Sequence, residues 1–490
     1  MTGDEARRRL REVEREIFAR RPEHSIDPSL ERIQALVTLL GDPQRAYPVI
    51  HITGTNGKTS TARMTEALLR ARGLRTGLFT SPHLSSVGER ICVDGQPLDA
   101  ERFVAAYDEI KPYADLVDAS QQVPLSFFEI LCGMAFAVFA DAPVDVSVVE
   151  VGMGGTFDNT NVADGVVAVV TPISLDHTQY LGSTVEEIAA DKAGIIKTGA
   201  VAVLAQQPPA AAEVLLRRAA EVGASVAREG LEFGVVSREL AVGGQQVSIR
   251  GLLGDYPEEF LPLFGAHQAS NLACAIAATE AFARTPAAVA GDFDTALDAA
   301  VVRQAVATMT SPGRLEVVRR SPVVIVDAGH NPGGMAESVA ALTEAFSFTD
   351  LIVILAVMAD KDAAGILSEL EPVAGHLVAT ANSSDRSMSA DALGTAAAAV
   401  LGPDRVSVAE RLDDAIELGV ALADEADARA GGAPGQAGVL ITGSVVTAGE
   451  ARVLLREGNG GGAVDSTWLA PQPDRRQRSV SQPGSAGDRP

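Results

Sequence analysis

The chain has 490 residues, more than one hydrophobic core usually serves, because domains run to about 100–200 residues. Hydrophobic residues make up 47% of it and charged residues 21%, which is ordinary for a globular protein and excludes a wholly disordered chain. The formal net charge of −24 repels phosphate backbones, so we expect no nucleic-acid partner. An anionic ligand must then be held by a local cluster of donors.

The cysteines and the first segment bear on the compartment. Cys92, Cys132 and Cys274 follow neither metal-ligand nor disulfide spacing, so we expect small core residues in a reducing compartment. The first 20 residues are too charged for a secretory signal, and no apolar run reaches the roughly 18 residues that a membrane span needs. The sequence predicts a cytoplasmic protein without membrane contact, and we expect it to act as a monomer.

The first half of the chain predicts an α/β fold. Charge pairing predicts a helix over residues 5–20, and Pro28 in a first-turn position predicts a second helix that starts at Asp27. Apolar runs of strand length follow at residues 49–53, 77–80, 144–151 and 166–170. They are rich in valine and isoleucine, as in strands covered on both faces, and helical patterns separate several of them. We therefore predict a doubly wound parallel sheet, with a hairpin turn at Asp94-Gly95.

The second half of the chain again predicts alternating strands and helices, after an intervening segment. Residues 232–250 predict a compact β segment, an alanine-rich helical region covers residues 269–309, and "TSPGRLEVV" reads as a linker. Further strands are predicted at residues 323–327, 351–357, 376–380 and 439–443. We predict an N-terminal domain over residues 1–308 and a smaller, Rossmann-like α/β domain over residues 309–457. Residues 458–490 are rich in Gly, Pro, Ser and Gln, which predicts a disordered tail.

The stretch "VIHITGTNGKT" ends a predicted strand in a glycine loop. Gly54 and Gly57 let the backbone turn tightly, so that consecutive N–H groups converge on an anion. Lys58 adds a positive charge, Thr59 offers a hydroxyl to Mg²⁺, and the following helix points its positive dipole end at the same place. The match to G-x-x-x-x-G-K-[ST] is imperfect, since Ile52 stands at the first glycine. A glycine turn with a surface lysine is the alternative, but the strand before and the helix after favour a P-loop.

Glu150 ends the apolar run in "VVEVGMGGTFDNTN". Ligands of open α/β sheets gather at this edge, so its carboxylate can hold Mg²⁺ opposite Thr59. A solvated acid at a strand end is the alternative. The "GMGG" piece is similar to a dinucleotide-binding turn, but the turn-rich "TFDNTN" after it predicts no helix. We therefore reject a dinucleotide site here.

Lys192 lies in "GSTVEEIAADKAGIIK". Thr184 and Glu187 form a capping box that opens a helix, on which Ile188, Ala189 and Lys192 share one face. Burial would lower the pKa of the amine, and a neutral amine can take up CO₂ to become a metal-binding carbamate. A snorkelling or ion-paired lysine is the alternative.

Ser81 and His177 follow two other predicted strands by short distances, so both can face the same sheet edge. A turn serine before Pro82 is the default interpretation of the first. A packing or capping role is the default for His177, because histidine is an unusual ligand for Mg²⁺.

The motifs taken together form a known pattern. They occur in the order "HITGTNGKTST", "LFTSPHL", "PLSFFEI", "VEVGMGGTFDNTN", "ISLDHTQYLGSTVEEIAADKAGIIK", "GAHQASNLACAI", "SPGRLE" and "DAGHNPGG". Over roughly residues 25–455 the chain resembles the folylpolyglutamate synthases and bifunctional dihydrofolate synthases of the Mur ligase superfamily. The combination is far more specific than any single motif.

The resemblance implies an ATP-dependent carboxylate–amine ligase that joins L-glutamate to dihydropteroate, and to the γ-carboxylate of folates, through an acyl phosphate. It implies nucleotide contacts at Thr55, Asn56, Gly57, Lys58, Thr59, Ser60, Asn271, Arg314, Asp327 and His330. It implies two Mg²⁺ ions, with metal contacts at Thr59, Ser81, Glu150 and His177. Lys192 matches the family's carbamylated lysine, and the implied catalytic residues are Lys58, Lys192 and His177.

For the pterin substrate, the resemblance implies contacts from three segments. They are Ser25, Ile26 and Asp27; Ser126, Phe128 and Glu129; and Phe157, Asp158 and Asn159. The residue types are suitable, because Phe128 could stack on a flat ring and Asp158 could accept from amino groups. Serine stands in "PLSFFE" where threonine is common, which keeps the hydroxyl. Lys361 in "MADKD" is a further candidate, for holding the incoming glutamate.

Two other functions stay open at this point. A peptidoglycan-precursor ligase acting on a nucleotide sugar would share the phosphate loop, the strand-end glutamate and the carbamylated lysine. Such enzymes usually carry a separate domain before the loop, and only about 50 residues precede it here, less than a usual domain. The other is a nucleotide-gated switch, which would release phosphate from ATP without needing L-glutamate and a pterin together.

Overall fold

In the computed structural model, which describes residues 3–22, 27–288, 296–430 and 436–457, the N-terminal domain is built on an eight-stranded sheet. The strands are β1 (Val49–Thr53), β2 (Thr76–Phe79), β3 (Ile91–Val93), β4 (Gln96–Pro97), β5 (Val146–Glu150), β6 (Gly165–Val170), β7 (Val201–Leu204) and β8 (Ser225–Arg228). Their order is β4-β3-β2-β5-β1-β6-β7-β8. Neighbouring strands in the run β2-β5-β1-β6-β7-β8 are parallel. Strands β3 and β4 pair antiparallel at the edge next to β2.

Helices cover both faces of this sheet. They are α1 (Gly3–Phe18), α2 (Glu31–Leu39), α3 (Lys58–Ala71), α4 (Ala100–Ser120), α5 (Phe127–Asp141), α6 (Thr178–Leu181), α7 (Val185–Lys192), α8 (Pro209–Glu221), α9 (Ala266–Ala283) and α10 (Ala299–Ala307). Ile50 and Ile52 of β1 pack into a core with α3 and α9, and Val49 packs into a second core with α5. Because both faces are buried, the strands are apolar throughout rather than alternating.

A separate antiparallel sheet follows the large one. It contains β9 (Gly234–Ala241), β10 (Gly244–Arg250) and β11 (Asp255–Leu261), in the order β11-β10-β9. Val247, Ile249 and Tyr256 bury one face against the core that includes α9. The predicted β segment is confirmed, but the third strand was not predicted, because its sequence "DYPEEFL" contains three acidic residues and a proline and has no continuous apolar run.

The C-terminal domain has a six-stranded sheet within the described residues, ordered β12-β13-β17-β14-β15-β16. The strands are β12 (Glu316–Arg320), β13 (Val323–Val326), β14 (Asp350–Leu355), β15 (His376–Ala379), β16 (Val406–Val408) and β17 (Ala437–Thr442). The helices are α11 (Pro332–Ala345), α12 (Ala363–Leu370), α13 (Ala390–Leu401), α14 (Leu412–Arg429) and α15 (Val445–Glu457). Two cores, one with α11, α12 and α13 and the other with α14 and α15, cover its two faces. The predicted α/β class, with a large doubly wound domain and a smaller one, is confirmed.

Several predicted details are confirmed and others are corrected. The turn at Asp94-Gly95 has φ of 52° and 74°, as a type I′ hairpin requires. The second helix begins at Glu31 and not at Asp27. The Asp27 carboxylate pairs with Arg21 and Arg32 and does not cap the helix. Strands β7, β8, β12 and β16 were not predicted; the last three are sheet edges with partly exposed residues.

Three further predictions concern the cysteines, the membrane and the tail. The three cysteines are buried, as predicted. None of the helices in the described ranges is long and apolar enough to cross a membrane. The predicted tail over residues 458–490 lies outside the described residues.

Candidate active site

The loop between β1 and α3 turns tightly at two glycines. Gly54 has φ of +145° and Gly57 has φ of +87°, a region that favours glycine. A Cβ at Gly54 would lie 1.8 Å from Thr171 Oγ1, and one at Gly57 would lie 2.5 Å from Asn271 Oδ1. The shape of the loop therefore depends on both glycines.

Lys58 begins α3 and folds back over this loop. Its Nζ donates to the carbonyl oxygens of Gly54 at 3.1 Å and Thr55 at 3.0 Å. Burial lowers the pKa of the Lys58 amine, while the carboxylates of Glu150 and Asp176 oppose that shift. A cation and a helix N-terminus thus meet at the loop, and both favour an anion there.

Thr59, Ser81 and Glu150 meet at the carboxyl edge of the sheet. Thr59 Oγ1 donates to Glu150 Oε1 at 2.7 Å, and the backbone N–H of Ser81 donates to Glu150 Oε2 at 3.2 Å. Burial raises the pKa of Glu150, although the Lys58 cation opposes the rise. The structure thus brings three of the four predicted metal residues into direct contact.

A cavity of about 370 Å³ covers the loop and is lined by both domains. All the predicted nucleotide residues line it, namely Thr55, Asn56, Gly57, Lys58, Thr59, Ser60, Asn271, Arg314, Asp327 and His330. Ser81, Glu150 and His177 line it as well. Burial lowers the pKa of His177 to about 4, with the Asp176 carboxylate opposing the shift, so its imidazole is neutral at pH 7.

Asp327 follows β13, and its carboxylate has several protein partners. Oδ1 accepts from the backbone N–H of Gly329 at 2.9 Å and from Ser338 Oγ at 2.7 Å, and Oδ2 accepts from the N–H of Leu315 at 3.1 Å. Asp327 therefore holds the loop after β13 against α11, in addition to facing the cavity.

Lys192 lies beneath the loop and lines neither cavity described here. Its Nζ donates to Gly54 O at 2.8 Å, and the residue is 4% exposed. Burial lowers the pKa of Lys192 to about 7, and repulsion from Lys58 adds to the shift. Ile188 and Ala189 are buried on the same helix, so the predicted burial of Lys192 on an apolar face is confirmed.

A second cavity, of about 540 Å³, lies next to the first. Among the predicted pterin contacts, it is lined by Asp27, Ser126, Phe128, Phe157, Asp158 and Asn159. Its C-terminal-domain wall includes Asp360, Lys361 and Arg386. One wall thus supplies aromatic rings and the other supplies two cations. Ser25 and Ile26 lie outside the described residues.

Glu129 does not reach this second cavity. Its Oε2 accepts from the N–H of Ser126 at 2.7 Å, and its Oε1 accepts from Arg32 Nε at 2.9 Å. Ser126 Oγ in turn accepts from the N–H of Glu129 at 3.2 Å, which completes a capping box at the start of α5. Protein groups therefore occupy the Glu129 carboxylate behind the wall of the cavity, and its contact with substrate stays a prediction.

Asp158 lines the second cavity, yet its carboxylate also binds its own loop. Oδ1 accepts from the N–H of Thr160 at 3.0 Å and from the Thr160 hydroxyl, and Oδ2 accepts from the N–H of Met153 at 3.0 Å. Burial raises the pKa of Asp158, and these hydrogen bonds oppose the rise. Thr160 Oγ1 lies 2.8 Å from His51 Nε2, so the loop is tied to β1.

Comparison with known proteins identifies the family. Residues 52–279 match the Mur ligase middle domain, and residues 313–444 match the Mur ligase glutamate ligase domain. The dihydrofolate synthase/folylpolyglutamate synthase of Mycobacterium tuberculosis is 50% identical over 462 residues, which cover 91% of this chain and 94% of that protein. The chain belongs to this family.

Solved structures of the folylpolyglutamate synthase family have the same fold. The Mycobacterium tuberculosis enzyme complexed with ADP matches with a TM-score of 0.87 at 50% identity, over 92% of this chain and 99% of that one. An FPGS–AMPPCP–folate complex matches with a TM-score of 0.75 at 30% identity, over 90% of this chain and 98% of that one. The predicted family is confirmed.

In this folylpolyglutamate synthase-family chain, Asp176 is a site residue that the sequence analysis missed. It accepts hydrogen bonds from Lys361 Nζ at 2.6 Å and from Asn331 Nδ2 at 2.9 Å. Its position directly before His177, after β6, could have indicated it by the strand-edge rule. Arg386 was also missed, and no local motif marks it.

The two domains make direct hydrogen bonds beside the phosphate loop. Ser60 Oγ and Ser311 Oγ are 2.8 Å apart, and Asn331 Nδ2 donates to Asn56 Oδ1 at 3.1 Å. The residues that line both cavities are Ser81, Pro82, Gly152, His177, His330 and Val445. The two cavities therefore meet along one shared wall.

Proposed function

We propose that this chain uses ATP to join L-glutamate to dihydropteroate and to the γ-carboxylate of folates. Relatives named dihydrofolate synthase/folylpolyglutamate synthase support both activities, and the solved FPGS structures with ADP, AMPPCP and folate support the ligands. The Mur ligase glutamate ligase domain supports glutamate as the joining amino acid.

One observation carries the proposal: the cavity over the phosphate loop and the cavity lined by aromatic residues share a wall. A nucleotide in the first cavity would present its terminal phosphate at that wall. A pterin acid in the second would lie with its ring near Phe128 and Phe157 and its carboxylate near His177 and His330. Phosphoryl transfer needs such alignment more than covalent help from the protein.

The phosphate loop would act by holding the triphosphate. Its backbone N–H groups and the N-terminus of α3 attract the anion, and Lys58 supplies a positive charge that is already fixed by Gly54 and Thr55. Charge that develops on the transferred phosphoryl group is then stabilised by groups that need not reorganise.

The residues at this edge fit Mg²⁺ bound together with ATP. No group of three His, Cys, Asp or Glu side chains suited to a metal ion occurs in the described ranges. Mg²⁺ typically takes one or two carboxylates and completes its shell with phosphate and water, which suits Glu150 with the hydroxyls of Thr59 and Ser81. His177, neutral at pH 7, is available as a further ligand for a second ion. Bound there, Mg²⁺ would neutralise phosphate charge.

Lys192 fits the proposed carbamate because its amine is buried and half neutral at about pH 7. Its nitrogen would attack CO₂, the new N–C bond would form as one C=O bond opens, and a proton would leave to water. The product is an anion beneath a loop that already holds Lys58. Such an anion suits the phosphate-binding end of the cleft by giving Mg²⁺ another oxygen partner.

The ligation step would take place at the wall that the two cavities share. The amine nitrogen of L-glutamate, after losing a proton, would form a bond to the carboxyl carbon of the acyl phosphate, and the C–O bond to phosphate would then break. Lys361 and Arg386 on the second cavity are suited to the carboxylates of the incoming amino acid. Asp27 and Asn159 are suited to polar atoms of the pterin end.

The proposal is tested by incubating the purified protein with ATP, Mg²⁺ and L-glutamate, offering dihydropteroate or tetrahydrofolate separately, and identifying products by mass. We expect both acceptors to gain one glutamate, with phosphate release that depends on glutamate and acceptor together. Lys58→Ala and Glu150→Ala should abolish the product while thermal unfolding stays unchanged. Phosphate release that needs neither glutamate nor pterin would instead indicate a switch.

A further inference from the structure

Asp176 connects parts of the site that come from both domains. It lies between β6 and α6 of the N-terminal domain, and its side chain is 9% exposed. Oδ1 accepts from Lys361 Nζ at 2.6 Å, and Oδ2 accepts from Asn331 Nδ2 at 2.9 Å. His330 Nε2 lies 3.6 Å from Oδ2. One carboxylate thus contacts both the loop that follows β13 and the loop that follows β14.

The charges around Asp176 make this contact more than a surface ion pair. The Lys361 side chain is only 10% exposed, so its ammonium requires a counter-charge. The Asp176 side chain is only 9% exposed as well, so the pair is largely shielded from solvent.

Asp176 also orders its own side of the shared wall. Its Oδ1 accepts from the backbone N–H of His177 at 2.8 Å. His177 has φ of 51°, a left-handed conformation that non-glycine residues rarely adopt without support. Since His177 and His330 both line the two cavities, Asp176 contacts the residues at which the cavities meet.

We propose that Asp176 is a positioning residue for ligation. By binding Lys361 and the loop of His330 across the cleft, it assembles the part of the active site that receives L-glutamate. The inference rests on the proposed function, because that function assigns this end to the amino acid. Completing a site through contacts between domains is a general way to couple closure to chemistry. Lys58 and Thr59 lie on the N-terminal domain and reach Asp176 only through Asn331 and Asn56, so nucleotide binding by the loop depends on this contact less than the glutamate end does.

The first test is Asp176→Asn, which removes the charge and keeps the shape. We expect the KM for L-glutamate to rise about tenfold or more and kcat to fall, because small misplacements of reacting groups are costly, and the KM for ATP to rise by a smaller factor, through His330 and Asn331. Glu344→Gln is the matched control. Glu344 pairs with Arg238 across the domains, at 2.8 Å between Oε2 and Nη1, without lining either cavity. An equal effect of Glu344→Gln, or an unchanged KM for L-glutamate, would overturn the proposal.

Two further measurements keep the test decisive. Asp176→Ala and Lys361→Ala should each impair glutamate use, and the double variant should be little worse than either, because the residues act as one unit; fully additive losses would contradict the pairing. Amide exchange in residues 328–332 and 359–362 of the ADP-bound protein should be faster in Asp176→Asn than in the wild type or Glu344→Gln. Unchanged exchange would reject the positioning role even if no ligase activity were found, so the two proposals can fail separately.

Discussion

Thr59 at the start of α3 and Glu150 at the end of β5, 91 residues apart in the chain, are joined by a hydrogen bond of 2.7 Å from hydroxyl to carboxylate. The contact lies beside Lys58 and faces the cavity that both domains line. It brings a neutral donor, a carboxylate and an ammonium to one edge of the sheet. These are the groups that a metal–triphosphate complex requires.

Removing the Thr59 hydroxyl should therefore impair turnover without unfolding the protein. We expect Thr59→Val, which keeps the shape, to lower kcat about 100-fold or more, the range seen when one stabilising polar group is lost from an active site. Thr59→Ser keeps the hydroxyl and serves as the control. Glutamate-dependent phosphate release measures the effect, and equal activity of the Val and Ser variants would contradict the assigned role.

Gly57 and Gly73 form a matched pair for testing the loop. Both have positive φ, +87° and +85°, but a Cβ at Gly57 would lie 2.5 Å from Asn271 Oδ1 whereas a Cβ at Gly73 would meet nothing within 4 Å. Gly73→Ala should destabilise folding by about 1–2 kcal/mol through backbone strain alone. Gly57→Ala should add weakened ADP binding. Thermal unfolding and ADP titration separate the two effects, and equal ADP affinity of both variants would argue against the loop site.

The pKa of Lys192 predicts how a carbamate should respond to pH. The folded pKa is lowered to about 7 from the ordinary 10.5, so the amine is protonated below about pH 7 and neutral above it. Only the neutral amine takes up CO₂. At constant dissolved CO₂, reactivation of CO₂-depleted protein should therefore increase from pH 6 to pH 8, and flat reactivation would count against the carbamate. Lys192→Ala should instead respond to short carboxylic acids.

Glu129 and Arg32 should affect stability more than substrate recognition. Glu129→Ala leaves the Arg32 guanidinium, 7% exposed in its side chain, without its buried partner. Breaking a buried pair in this way costs about 3–5 kcal/mol, although Asp27 still pairs with Arg32 and reduces the loss. Denaturant unfolding measures it. Wild-type stability with a raised KM for the pterin would show that Glu129 contacts substrate directly.

Phe157 is the contrasting case on the same cavity. The residue is 57% exposed, so little packing is lost on truncation. Phe157→Ala should raise the KM for dihydropteroate while stability stays within about 0.5 kcal/mol, as for other surface changes. An unchanged KM for both pterin acceptors would remove Phe157 from the site.

The residues near a strand end were predictable, because their placement follows from topology. The sequence places Lys58, Glu150 and His177 at the end of an apolar run or a short loop after one, and parallel strands bring their carboxyl ends to one edge. The burial of Lys192 was predictable from helical spacing, because Lys192 shares one face of α7 with the apolar residues Ile188 and Ala189.

Contacts between segments far apart in the chain were not predictable in this way. The pairing of Asp176 with Lys361 joins two loops across the cleft, and the pairing of Glu129 with Arg32 joins helices α5 and α2 of the N-terminal domain. Edge strands such as β11 and β16 were missed for a related reason: half-exposed strands carry no continuous apolar run. Local patterns report burial and turns, whereas partner choice is set by tertiary packing.

The wall common to both cavities has a consequence for inhibition. A single compound that joins a phosphate mimic to a pterin through a tetrahedral centre would contact the phosphate loop at one end and Phe128 and Phe157 at the other. Its release would require both ends to dissociate together, so its residence time should exceed that of either fragment by far more than their separate affinities suggest.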